Sequence, residues 1–86
     1  MTEDPRRAPG ADLPRWIDDL CAALDVDRSL VDIDRVLDLS STVAHQVARP
    51  AVPVSMFVAG LAAARLDPAQ IGPLLAAIEE RAQQWT

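Results

Sequence analysis

Leu13, Trp16, Ile17, Leu20 and Leu24 recur at three- and four-residue spacing, with Asp18 and Asp19 outside the stripe they form. Such a period belongs to a helix buried on one side. Asp12 stands at its start as an N-cap, and Pro14 is tolerated in the first turn, where its missing N–H removes no helical bond. The first helix therefore runs to about Leu24. Asp25 to Asp32 reads as a connector with one short turn around Ser29 to Val31. A second helix follows from about Ile33 to Ala48, capped by Asp32. Stepping its residues around a helical wheel puts Val36, Leu37, Leu39, Ser40, Val43, Ala44 and Val47 with Ile33 on one side. Asp34, Asp38, Ser41, Thr42, His45 and Arg49 fall on the other.

Pro50 ends that helix, because the residue before a proline is pushed away from helical geometry. Ala51 and Val52 make a tight elbow, and Pro53 opens a third helix at its first turn, reaching about Leu66. Here the period disappears. Val54, Met56, Phe57, Val58, Leu61 and Leu66 spread around the whole cylinder. A helix apolar on every side is expected to be buried on every side, either as the central helix of the chain or with one side against another molecule. The last segment begins at Asp67-Pro68, and Ile71, Leu74, Leu75, Ile78, Ala82 and Trp85 form its stripe, with Glu79, Glu80, Gln83 and Gln84 outward. Gly72-Pro73 should break it, leaving a short first turn and a main helix from Pro73 to Gln84. The pattern predicts an all-α fold, a small four-helix bundle with a central apolar third helix.

Composition narrows this further. Half of the 86 residues are apolar but aromatics make up only 3%, so Leu, Val, Ile and Ala must build the core, a composition suited to helices. The core is small enough that efficient packing or self-association is needed to support it. Met1 to Ala11, with Pro5, Pro9 and Gly10 among charges, reads as a disordered leader to a single helical domain over 12–86. The single cysteine, Cys21, borders the first stripe and reads as a small buried hydrophobe. With no internal disulfide possible and no charged-then-apolar leader, cytoplasmic residence is expected. The longest uncharged run, Pro50 to Ala64, falls short of the ~20 residues of a membrane-spanning helix, so no membrane is expected as partner.

The net charge is −5, and all of it lies between Asp12 and Asp38, where eight acids face Arg15, Arg28 and Arg35. An acidic half repels phosphate backbones, which argues against nucleic acid as a partner.

Candidate chemistry is sparse. A calcium loop beginning at Asp25 fails, since Leu30 stands where glycine is needed and Val36 where a bidentate glutamate belongs. An acyl-carrier-like protein is a weak alternative: such proteins are small and acidic, but the serine that carries their prosthetic arm lies in Asp-Ser-Leu, and the triplet here is Arg28-Ser29-Leu30. The polar side of the second helix supplies a candidate binding strip of Asp38, Ser41, Thr42, His45 and Arg49. A solvated helix face with weak surface pairs is the plainer explanation of these residues. As a site, His45 and Arg49 would hold an anion such as a phosphate or a pterin-type group. One helix face provides no concavity for catalysis, and no second His or Cys joins His45 as a metal ligand. No catalytic residue, metal or cofactor is therefore assigned. On the third helix Ser55, Met56, Ala59, Gly60 and Ala63 form a candidate interface, with small residues that let another backbone approach inside the fold or across a dimer axis.

The pattern Trp16-Ile17 with Leu20-Cys21, then Val31-Asp32-Ile33-Asp34, then Val43-Ala44-His45-Gln46-Val47-Ala48-Arg49-Pro50-Ala51-Val52-Pro53, then Phe57-Val58-Ala59-Gly60-Leu61-Ala62, resembles a short actinobacterial helical domain of unknown function. The same domain is also found attached to molybdenum cofactor guanylyltransferases, which join GMP to molybdopterin. The resemblance covers roughly 13–85 and is most specific at Ala44-His45 with Ala48-Arg49-Pro50. It implies an accessory or docking module. The chain has no glycine-rich phosphate loop and cannot itself be the transferase. The expectation is a non-enzymatic interaction domain whose partner is another protein or a second copy of itself.

Overall fold

The first amphipathic stripe forms a helix as expected: α1 spans Leu13–Leu24, with proline in its opening turn, but Cys21 alone is buried, and Trp16 and Leu24 of the stripe are exposed. It ends at Asp25, whose φ of 56° and ψ of 46° place it in the left-handed region. Aspartate is among the few non-glycine residues that tolerate this conformation. The Asp25 N–H donates to the Ala22 carbonyl at 3.4 Å and the Val26 N–H to the Cys21 carbonyl at 2.9 Å, closing the helix in the manner of a Schellman motif. A 3-10 turn, Arg28–Leu30, follows. Asp27 Oδ1 accepts from the Ser29 N–H at 3.0 Å and from the Ser29 hydroxyl at 2.7 Å. Arg28 ties the turn back to α1, donating from Nε to Asp18 Oδ1 at 2.6 Å and from its guanidinium to the Val31 carbonyl at 2.8 Å.

The computed structural model describes residues 11–85, so the leader expected over 1–11 lies outside the described residues except for Ala11. Contacts cluster in two units, divided between Val31 and Asp32. The first contains α1 and the 3-10 turn just described. The second contains α2 (Ile33–Gln46), α3 (Ala51–Ala63), a 3-10 turn (Pro68–Gln70) and α4 (Ile71–Gln83). The fold is all-α, with no strand among the described residues.

Asp32 caps α2, its Oδ1 accepting from the Arg35 N–H at 3.1 Å. The helix stops at Gln46, two residues before the expected end, and a turn through Ala48 and Arg49 leads into α3. Proline constrains the residue before it, and here the chain leaves helical geometry still earlier. α3 in turn begins at Ala51 rather than Pro53. Pro53 is the third helical residue, and none of the first four N–H groups of a helix has an acceptor inside it. The same argument corrects the expected break in the last segment. Gly72-Pro73 lies in the first turn of α4, where Pro73 forfeits no bond, and the helix continues from Ile71 without interruption. Ahead of it, the Asp67 N–H donates to Gln70 Oε1 at 3.1 Å. At the far end of α3, Arg65 and Leu66 donate to the Ala62 and Ala63 carbonyls. These tighter bonds satisfy the last turn and end the helix three residues short of Leu66.

The core of the second unit is centred on α2. Leu39 is fully buried and Val43 nearly so, with Ala82 of α4 against them and Ala51, Val52, Met56, Leu75 and Ile78 partly buried around them. The third helix is apolar all round, as expected, but its own chain does not enclose it among the described residues. Only Ala59 of α3 is buried, while Val54, Phe57, Val58 and Leu61 each keep more than half of their surface open, Phe57 as much as 68%. Two neighbours, α2 and α4, contact one side of α3, and a helix apolar on all sides has no pattern that would hide the other.

Candidate functional site

Three side chains on α2 and α4 form the one half-buried polar network that joins these helices among the described residues. Arg35 donates two parallel bonds to Glu79, at 3.3 Å to Oε2 and 3.2 Å to Oε1. Thr42 Oγ1 lies 3.2 Å from Glu79 Oε2 and 3.3 Å from the Asp38 carbonyl. With one hydrogen, the hydroxyl serves these acceptors one at a time. Arg35 and Glu79 are each about a quarter exposed, an environment between that of a surface pair and that of a buried one. The network clamps α4 onto α2 beside Leu39. Sequence reasoning placed Glu79 outward and passed over Arg35. The signal was present: Arg35, Leu39 and Thr42 share four- and three-residue spacing, as do Leu75, Glu79 and Ala82.

The candidate strip is consequently divided. Thr42 turns toward α4 and Glu79. Asp38, Ser41 and His45 remain exposed on α2, and Arg49 lies in the turn after the helix has ended. His45 Nδ1 is 2.7 Å from the Ser41 carbonyl. A carbonyl only accepts, so Nδ1 carries a proton and Nε2 alone is left to accept one. Ser41 Oγ, 3.5 Å from the same nitrogen, is thus not a serine activated by histidine. Ser29, the weak acyl-attachment candidate, has its hydroxyl engaged by Asp27. That bond, and after it the Ser29 N–H, holds the Asp27 carboxyl below its ordinary value of 3.8, with a small opposing effect of desolvation. Among the described residues no group of three or more His, Cys, Asp or Glu is placed to hold a metal ion.

Most of the candidate interface lies inside the fold, one of the two placements expected for it. Ser55, Met56, Ala59 and Ala63 are buried or half-buried, and Met56 packs on the Leu39–Val43 core. The small size of Ser55, Ala59 and Ala63 suits close packing inside the fold. Gly60 is exposed, and a Cβ there would meet nothing within 4 Å, so it is not a point of close backbone approach.

Sequence reasoning allowed that one side of this helix meets another molecule but did not name the residues of the side that stays open. Val54, Phe57, Val58 and Leu61 follow the i, i+3, i+4, i+7 spacing of a single helical face. Beside them opens a groove of about 340 Å³ between the ends of α2, α3 and α4. Val47, Val54, Val58, Ile78 and Trp85 supply much of its apolar lining, and Arg81 is its one charged lining residue. Trp85, just past α4, is 61% exposed. The stripe is an apolar, uncharged surface on the one α-helix, among the described residues, that carries no Asp, Glu or Arg, and Arg81 of α4 is the one charge beside it in the groove. It can bind apolar side chains and offers no group for acid, base or nucleophilic chemistry.

A model of a domain of unknown function, DUF6457, matches residues 8–86. The chain belongs to the DUF6457 family. The match runs through both units, so the DUF6457 domain includes α1 as well as the three helices around Leu39. No curated protein and no solved structure matches the chain. No helix of this DUF6457 domain, among the described residues, is long and apolar enough to cross a membrane.

Proposed function

We propose that this DUF6457 domain is a non-enzymatic, cytoplasmic interaction module whose working surface is the open side of α3. The observation that carries the reading is the run Val54, Phe57, Val58 and Leu61, four large apolar residues on one helical face and all exposed. Contiguous apolar patches of this kind mark binding surfaces on soluble chains. The polar strip on α2 gives less support to an anion-binding role, because Thr42 serves Glu79 and His45 bonds its own helix. The resemblance to the domain attached to molybdenum cofactor guanylyltransferases extends the reading: an accessory module for assembly of that cofactor in actinobacteria, docking through α3.

Photo-crosslinking in cells tests the surface. A benzophenone amino acid replacing Phe57 or Val58 should give protein adducts, and the same residue replacing Leu37, exposed on α2, should not. Equal yields at the three positions, or none at any, would overturn the reading. A guanylyltransferase among the adducts supports the molybdenum link.

A further inference from the structure

We propose that the occupant of the open α3 face is a second copy of the same chain, with α3 packed against α3 across a two-fold axis and the Phe57 ring of each copy seated in the other's groove. The proposal rests on the interaction reading above and names its partner. Charge is the first argument. Each copy carries −5, and that excess lies wholly between Asp12 and Asp38, on α1, the 3-10 turn and the first half of α2. Two such chains repel over most orientations. α3 has no charged residue along its length, so the contacts that α3 itself makes with a second α3 bring no carboxylates into opposition.

Self-complementarity is the second argument. A two-fold contact requires one patch to satisfy itself, and a uniformly apolar stripe does so without needing paired donors or opposite charges. The groove meets the same requirement, because Val54 and Val58 belong both to its wall and to the stripe. Phe57, the most exposed side chain of the stripe, is thereby adjacent to the cavity that a ring from the other copy would fill.

Area is the third argument. Val54, Phe57, Val58, Leu61 and Trp85 are each more than half exposed. At roughly 100–150 Å² of open surface per side chain they offer about 600 Å² per copy, or about 1,200 Å² in the pair, the lower edge of specific interfaces. An interface of that size gives a reversible dimer that populates with concentration.

Sedimentation equilibrium of the purified chain over a range from low micromolar to millimolar tests this. The apparent mass should rise from 9.3 kDa toward twice that value, and the transition should move to lower concentration as salt screens the like charges. Phe57→Asp and Val54→Glu, both at exposed positions, should keep the wild-type helical circular dichroism and remain monomeric. Leu37→Asp should dimerise as wild type does. In a Trp16→Phe background, emission from Trp85 on the groove wall should shift to the blue as the dimer forms, and should not shift in Phe57→Asp. A wild-type chain that stays monomeric throughout, or a dimer that survives both α3 substitutions, overturns the proposal. A monomer whose position 57 still crosslinks to another protein removes the second copy and leaves the interaction reading standing. A monomer with no adduct removes both.

Discussion

α2 and α3 are neighbours of nearly equal length, and they use apolar residues in opposite ways. α2 carries three aspartates if its cap is counted, two hydroxyl residues toward solvent and α4, and an exposed histidine, yet it supplies the two most completely buried side chains, Leu39 and Val43. α3 is far more apolar and buries only Ala59. The difference lies in pattern. Leu39, Val43 and their half-buried neighbours fall on one face of α2, so burial of that face satisfies its apolar demand except at Leu37, which was expected on that side and stays half exposed. α3 has apolar residues on all sides, and two contacting helices leave its outer stripe uncovered. Hydrophobicity therefore states how much a helix would gain from burial, and periodicity states which side receives it.

Truncations offer the most forceful way to break this comparison. Leu39→Ala should destabilise the fold by about 2–5 kcal/mol, the range for a fully enclosed leucine that leaves a cavity. Phe57→Ala removes a larger side chain but should cost less than about 1 kcal/mol, because most of its surface is already in water. Urea denaturation at low micromolar protein, where the monomer dominates, measures both. Equal losses would mean that α3 is enclosed in solution and that the contrast between the two helices is false.

A smaller effect sharpens the role of α2 as the organising helix. The Arg35–Glu79 pair and the Thr42 hydroxyl anchor α4 to it. Their donor–acceptor distances of 3.2 to 3.3 Å are longer than those of a tight charge-assisted bond. A double-mutant cycle with Arg35→Met and Glu79→Gln should give a coupling of about 1 kcal/mol, smaller than that of a buried pair and larger than that of a typical surface pair. A coupling indistinguishable from zero would reduce the network to surface decoration. Thr42→Val should weaken the fold in the same direction by a lesser amount.

Most of the fold was legible in the sequence because the stripes of α1, α2 and α4 are periodic. Leu13 to Leu24 and Ile71 to Ala82 both announce their helices, but only the second stripe announces a buried side, since Trp16 and Leu24 of the first are exposed. Helix ends were read less well where proline was involved, since Pro53 and Pro73 each sit at the third helical position, and sequence alone does not separate first-turn placements that are energetically alike. The candidate site was the least legible. Thr42 and His45 are three residues apart on one wheel, and what separates their roles is α4, whose Glu79 meets Thr42 and leaves His45 outside. The open stripe of α3 was hidden for a related reason: Phe57 and Met56 are equally apolar letters, and only the placement of α2 and α4 decides that Met56 joins the core and Phe57 does not.

Gly60 provides the finest probe of that decision. It lies in the interior of α3, is exposed, and has no neighbour within 4 Å of an added Cβ. Glycine inside a helix costs conformational entropy on folding, so Gly60→Ala should stabilise the monomer by about 0.5–1 kcal/mol. Around the helix, position 60 is displaced by about 100° from the centre of the Val54–Leu61 stripe, so dimerisation should be left nearly unchanged. Denaturation of the dilute variant and sedimentation of the concentrated one read these two effects separately. A loss of stability in the dilute sample would place an intramolecular neighbour against α3 at Gly60. Stabilisation of the monomer together with a weakened dimer would rotate the contact between copies away from Phe57 and toward Gly60, and would identify which part of the open face the second chain covers.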